Sequence, residues 1–287
     1  MRGKIIASLN GTYTLLSDGV TYNVLPRGLF KFKKEHLLVG DDVIVDDTNF
    51  MVLSIEERKN ELIRPKCSNI DQLYIVMSVK EPDLSTELLY KFLTYGKMNN
   101  IQTDVIFTKI DLLTDQTDLN DLINDLDKLN IHSYKIGRNI VDDKEKLLSS
   151  LENKVTIFMG QTGVGKSSII NKINPNFSRG IGEYSNALGR GKHKTKEVVL
   201  LPYKNGFIGD TPGFSSLDLG IYKEDLAMFF PGYNELYTEC FYSNCLHQNE
   251  KDCKVKEKVN DGYLSLTSYK IYLKLLNELP YRKERYK

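Results

Sequence analysis

The sequence predicts a multidomain chain: a small β-barrel, then an α/β domain, then a mainly helical C-terminal module, within 287 residues. Three observations predict it. Short β-like runs separated by Asn-Gly and Asp-Gly turn signals fill residues 1–68. From about Asn69, apolar strand-like runs alternate with helically spaced ones. Beyond Gly220, three cysteines and a histidine crowd together ahead of a long amphipathic stretch. The length accommodates several modules of about 100 residues each.

In the first module the strand-like runs are Lys4–Leu9, Tyr13–Ser17, Thr21–Leu25, Asp42–Val45 and Phe50–Ile55. Five short strands suit an OB-type barrel, which commonly offers a face to oligonucleotides, and they suit a generic ligand-free barrel equally well. A hydrophobic fraction of 41% and a charged fraction of 27% exclude a disordered or collagen-like chain, and no apolar run is long enough for a membrane span. The 39 basic and 38 acidic residues leave a net charge of +1, so no whole-chain excess announces a nucleic acid partner. Met1–Tyr13 lacks the apolar core of a signal peptide, which predicts a cytoplasmic protein with no membrane contact. Cys67 stands alone and reads as a small buried hydrophobe.

The second module, 69–220, carries buried-strand patterns at Leu73–Val79, Thr103–Thr108 and Lys154–Met159, with helical spacing at Thr86–Met98 and Asp118–Leu129. This alternation predicts βαβ units on a parallel sheet. Lys154–Met159 runs directly into Gly160-Gln161-Thr162-Gly163-Val164-Gly165-Lys166-Ser167, a full G-x-x-x-x-G-K-S, and Ser168, Ile169 and Ile170 continue into a helix. Strand, glycine-rich loop and helix are the context this motif requires. Backbone N–H groups of such a loop curl around the α and β phosphates of a nucleoside triphosphate. Lys166 then reaches the β and γ oxygens, and the Ser167 hydroxyl ligates Mg²⁺.

Thr108-Lys109-Ile110-Asp111, at the end of a strand pattern, resembles the guanine-recognition element [N/T]-K-x-D. A carboxylate there accepts the N1–H and N2 amino hydrogens of guanine, a donor pair that adenine lacks. Lys109 lays its stem along the base. Asp210-Thr211-Pro212-Gly213 resembles the D-x-x-G switch, with Asp210 reaching Mg²⁺ through water and the Gly213 N–H facing the γ-phosphate. Thr195, in Gly189-Arg190-Gly191-Lys192-His193-Lys194-Thr195, is placed to be the switch threonine on Mg²⁺. Ordinary GTPases place the guanine element after the other motifs, whereas here it precedes the phosphate loop, so the domain is circularly permuted.

The third module, 221–287, reads Cys240-x4-Cys245-x-His247-x5-Cys253, the ligand set of a structural Cys₃His zinc site. Ser265 caps a helix in which Leu266, Tyr269, Leu273 and Leu276 share a face, ending before Pro280. Taken together, the β-rich start, the permuted motifs G-Q-T-G-V-G-K-S and D-T-P-G, the G-R-G-K-H segment and the cysteine pattern resemble the RsgA (YjeQ/YloQ) family of small ribosomal subunit biogenesis GTPases across essentially the whole chain. The resemblance implies an N-terminal OB-fold that binds RNA, an α/β P-loop GTPase domain and a zinc-binding C-terminal domain. It also implies a slow hydrolysis of GTP to GDP and phosphate, stimulated by the 30S subunit during its late maturation, with 16S rRNA as a partner. The expected protein is a monomer carrying one Zn²⁺ and using Mg²⁺ with GTP. Ser133 is the candidate for the family's guanine-loop serine.

After D-x-x-G, where many GTPases carry the glutamine that orients the attacking water, stands Phe214, which cannot do so. His193 is the candidate group for that role, with Thr195 and Lys166 completing the catalytic set. Residues 178–196 hold Arg179, Arg190, Lys192, Lys194 and Lys196 against Glu183 alone, a basic switch suited to RNA phosphates. Two other readings stay open: a GTPase with a non-ribosomal target, and a nonenzymatic RNA-binding module with a vestigial nucleotide site.

Overall fold

The computed structural model describes residues 1–28, 36–138, 144–173, 198–211, 213–214 and 216–282. They divide into two compact units, Met1–Val76 with Asp142–Phe214, and Met77–Val141 with Ser215–Lys287. Among the described residues no helix is long and apolar enough to cross a membrane.

The first unit opens with β1 (Arg2–Leu9), β2 (Thr12–Ser17), β3 (Val20–Pro26), β4 (Asp42–Val45) and β5 (Met51–Ile55). They close a barrel in the order β1-β2-β3-β5-β4, sealed by antiparallel β1–β4 pairing at Arg2↔Ile44 and Lys4↔Asp42. The seam between β3 and β5 is parallel, at Leu25↔Met51, and the other ladders are antiparallel. That strand order is the five-stranded Greek-key barrel of the OB type. Both early hairpins turn on two residues with positive φ, Asn10-Gly11 and Asp18-Gly19, as the right-handed strand twist favours. The interior is Ile5, Leu15, Val24, Val43, Val45 and Val52 from the five strands, with Leu37 from the segment before β4.

A short hairpin follows, β6 (Glu61–Leu62) with β7 (Cys67–Ser68). It is clamped to the barrel by Asp41, whose carboxylate is fully buried. The Arg58 Nε donates to Asp41 Oδ1 at 2.7 Å and its terminal nitrogen to Oδ2 at 2.8 Å. Ser68 Oγ (2.6 Å) and the Leu38 N–H (2.7 Å) complete the carboxylate's partners. Burial keeps Cys67 fully covered and pushes its thiol far above the ordinary range.

The same unit contains β11 (Val155–Met159), β12 (Val199–Tyr203) and β13 (Gly206–Asp210), after α3 (Lys144–Ser150) and with α4 (Lys166–Ile173) between β11 and β12. In it β11 pairs in parallel with Gln72–Ile75 of β8 (Gln72–Ser78) and with β13, while β12 returns antiparallel to β13. β8 and β11 are buried along their whole length, the continuous pattern of a sheet covered on both faces.

The second unit holds α1 (Thr86–Met98), β9 (Gln102–Thr108), α2 (Thr117–Lys128) and β10 (Ser133–Ile136), with β9 and β10 parallel. Ser85 caps α1 by accepting the Leu88 N–H. Its C-terminal part carries α5 (Leu226–Phe229), α6 (Lys254–Asn260) and α7 (Leu266–Glu278), the last capped by Ser265. An aromatic cluster fills the space between them. Tyr90 stacks on Phe230 at 5.2 Å, and Tyr272 meets Phe230 edge-on at 5.2 Å and Tyr233 at 4.6 Å.

Removing one partner of a buried ion pair leaves an uncompensated charge and costs about 3 kcal/mol or more. Asp41→Ala is therefore expected to lower stability by about 3 kcal/mol, read as a lower urea midpoint at unchanged slope. A surface control, Asp47→Ala, should change it little.

Candidate functional site

β11 delivers the phosphate loop. Its last residue hands over to Gly160, where a Cβ would lie 2.2 Å from the Val76 carbonyl oxygen, so only glycine lets the chain turn there. Buried Val164 anchors the loop from below, while Thr162, Gly163, Ser167 and Ser168 stay exposed at its mouth. Lys166, only 7% exposed, donates from Nζ to the carbonyls of Gly160 and Gln161, each at 2.9 Å. Burial lowers its pKa, and the nearby Asp210 carboxylate opposes that shift.

Asp210 ends β13 opposite Phe158 of β11, so parallel pairing places it beside the loop that β11 feeds. Its Oδ2 accepts the Ser167 hydroxyl at 2.7 Å, and its Oδ1 is buried with no partner. Burial raises its pKa, with the Ser167 hydrogen bond and Lys166 pulling it back. A serine hydroxyl and a half-satisfied carboxylate are the hard oxygen donors that Mg²⁺ takes, in part through water.

The D-x-x-G segment is laid directly on the loop. A Cβ on Gly213 would sit 2.2 Å from Thr162 Oγ1 and 2.4 Å from the Thr162 nitrogen. The Phe214 N–H donates to the Gly160 carbonyl at 3.0 Å, and Thr211 Oγ1 donates to the Phe158 carbonyl at 2.7 Å. His193 and Thr195 lie outside the described residues, as do Arg190 and Lys192.

In the second unit, Thr108 ends β9, buried, with its carbonyl accepting the Val79 N–H at 3.1 Å and its hydroxyl 3.4 Å from the Met77 carbonyl. Lys109 takes a left-handed conformation, φ 59°, that breaks the strand into the short turn Ile110–Leu112, and its ammonium donates to the Glu81 carbonyl. The Asp111 Oδ1 accepts the backbone N–H of Arg138 at 2.9 Å. Ser133 lies within β10, opposite Val105, so the backbone that meets Asp111 belongs to the loop after that strand. This contact was missed because a main-chain donor leaves no mark in the sequence. The only signal was position, since the loop follows the carboxyl end of a parallel strand, where α/β sheets place their ligand loops.

Also in the second unit, the ligand atoms of Cys240, Cys245, His247 and Cys253 lie within 4.8 Å of one another, the one such group of potential metal ligands among the described residues. His247 Nδ1 is 3.5, 3.4 and 3.3 Å from the sulfurs of Cys240, Cys245 and Cys253, and Cys240 and Cys253 are 3.9 Å apart. A tetrahedron with metal–sulfur bonds of about 2.3 Å has edges of about 3.5–3.8 Å, so the cluster fits one metal ion. Burial pushes the Cys245 thiol up to about 12 and the His247 imidazole down to about 4. The loop is held from outside. Glu250 accepts the N–H groups of Leu246 and Gln248, each at 2.8 Å, and the Tyr269 hydroxyl donates to the His247 carbonyl at 2.8 Å.

The chain matches the family model described as RsgA GTPase over residues 55–220 and that described as RsgA N-terminal domain over 2–50. It is 43% identical over 291 residues to the small ribosomal subunit biogenesis GTPase RsgA of Streptococcus agalactiae serotype V, covering 100% of this chain and 98% of that protein. Its identity to the protein of the same name from a Geobacillus strain is 38% over 290 residues, covering 99% of each. The crystal structure of YloQ, described as a circularly permuted GTPase, is similar with a TM-score of 0.80 at 34% identity, over 99% of this chain and 96% of that one. With a closed five-stranded barrel, a permuted P-loop domain and a Cys₃His cluster, the chain belongs to the RsgA family and is a GTP-hydrolysing enzyme of ribosome biogenesis.

Proposed function

We propose that this chain hydrolyses GTP slowly by itself and that the small (30S) ribosomal subunit completes its active site during late subunit maturation. The observation that carries this reading is Phe214. The phosphate loop and the D-x-x-G segment are already packed together, yet the position beside them that would orient water is a phenyl ring hydrogen-bonded only through its backbone. A site so arranged binds its substrate and waits for a partner, as outside activators serve other GTPases.

In this reading Thr108, Lys109 and Asp111 select guanine, and the backbone of Gly160, Gln161, Thr162, Gly163, Val164 and Gly165, with Ser168, cradles the phosphates. Lys166 leaves its two carbonyls for the β and γ oxygens. Ser167, Thr195 and Asp210 would hold Mg²⁺, and Gly213 would face the γ-phosphate. When bound, Mg²⁺ neutralises charge on the phosphate oxygens. His193 positions the attacking water once the subunit is bound. The Cys₃His cluster takes Zn²⁺ as a closed structural site. The chain acts as a cytoplasmic monomer of three modules, 1–68, 69–220 and 221–287, with 16S rRNA met by the barrel and the basic switch. The relatives' shared name supports the ribosomal target.

GTP turnover by the purified chain should rise at least about tenfold on adding 30S subunits. His193→Ala should lose that rise while binding GTP normally, and unchanged turnover with subunits refutes the reading. Asp111→Asn should weaken GTP by about 1–3 kcal/mol, the worth of a bidentate base contact, and leave ATP binding unchanged in a competition titration. Because each thiol must lose its proton to bind a metal, zinc affinity measured against a competing chelator should rise steeply from pH 6 to pH 8. Cys245→Ser should bind less than one zinc per chain at either pH.

A further inference from the structure

A cleft of about 770 Å³ opens in the first unit, within the range of about 300–1,000 Å³ usual for ligand pockets. Buried Leu37, Leu38, Leu62, Pro65 and Val198 form its floor. Phe214 lines it too, together with Tyr13 of β2. The residue after D-x-x-G is therefore engaged with the barrel side of the unit, and this gives it a use that its missing water-orienting role does not.

The turn of the β6–β7 hairpin, Ile63-Arg64-Pro65-Lys66, overhangs the cleft. Arg64, Lys66 and His36 are exposed on its rim, and Ile63, also lining it, is 73% exposed. Among the described residues the single acidic lining residue, Glu61, is paired with Arg58 at 2.6 Å. The Asp41 clamp on Arg58 and Ser68 fixes this hairpin. A cationic rim above an apolar floor with two aromatic rings matches a splayed nucleotide, its phosphates outside and its base within.

We propose that this cleft binds one unstacked nucleotide of single-stranded RNA, with Arg64 and Lys66 on the phosphates, and that Phe214 makes its affinity depend on the bound guanine nucleotide. The proposal rests on the ribosomal reading above. The mechanical link is short. The Phe214 N–H is bonded to Gly160 and its neighbour Gly213 is packed on Thr162, so any shift of D-x-x-G against the phosphate loop moves the ring in the cleft. Coupling of this kind is reciprocal, so RNA in the cleft also biases the D-x-x-G segment.

The test uses the full chain, a fluorescein-labelled single-stranded RNA of mixed sequence, and fluorescence anisotropy with GDP or a non-hydrolysable GTP analogue. The wild type should bind with affinities that differ at least about fivefold between the two nucleotides. Arg64→Gln with Lys66→Gln should weaken binding about tenfold and reduce the slope of log Kd against log salt by about 1.4, at roughly 0.7 per lost phosphate contact, with basal GTP turnover unchanged. Phe214→Leu should still bind RNA but lose the difference between nucleotides. Unchanged affinity and slope in the double variant, or an undiminished difference in Phe214→Leu, overturns the proposal. Loss of 30S stimulation in the double variant with intact RNA affinity also overturns it, because the occupant would then be a ribosomal protein. Wild-type turnover with 30S is read separately: its failure to rise refutes the ribosomal reading, while the RNA titrations still decide the cleft.

Discussion

The hydrogen bond from Ser167 to Asp210 is the contact on which the nucleotide site turns. It exists because β11 and β13 are parallel neighbours in a register that sets Phe158 beside Asp210, so the phosphate loop and the switch carboxylate leave the sheet at the same end. Two consequences follow from burial. Lys166 and Asp210 are opposite charges, both held out of water, and each one's pKa is displaced toward its neutral form. One Asp210 oxygen also remains without a partner. Such an arrangement is unfavourable for the empty protein and favourable for a polyanion arriving with a divalent cation, which is how a preorganised site stores its preference for substrate.

Around that contact the two ends of the chain are stabilised by different means. The barrel closes its own edges, and its hairpin extension is pinned by the Asp41 carboxylate, whose four hydrogen bonds satisfy a charge that burial would otherwise make costly. The C-terminal module has short helices, an aromatic cluster and four metal ligands. There a bound metal would supply part of the folding energy that a larger apolar core supplies elsewhere.

Much of this was legible in the sequence, for identifiable reasons. The helical spacing over Thr86–Met98 coincides with the observed helix to the residue, because its apolar positions recur strongly. The barrel strands were legible because Asn-Gly and Asp-Gly punctuate them, and the phosphate loop because its glycines are needed for backbone approach. The strand Val199–Tyr203 has no counterpart in the sequence reading, and Pro202 within it is out of place in a central strand. It is an edge strand, where a missing N–H costs no ladder bond. β13 ends at Asp210, whose backbone pairs with Val199 while its side chain serves the site. The Arg138 N–H on Asp111, the clamp at Asp41 and the cleft under Phe214 all depend on tertiary placement of residues far apart in the chain, for which neither periodicity nor motif spacing carries a signal.

The most direct measurement is the affinity of a non-hydrolysable GTP analogue with Mg²⁺ and with EDTA, for the wild type, Ser167→Ala and Asp210→Asn. The account predicts that Mg²⁺ tightens wild-type binding by at least about tenfold and that both substitutions remove most of that gain. Equal affinity with and without Mg²⁺ in the wild type, or an undiminished Mg²⁺ effect in both variants, would contradict it.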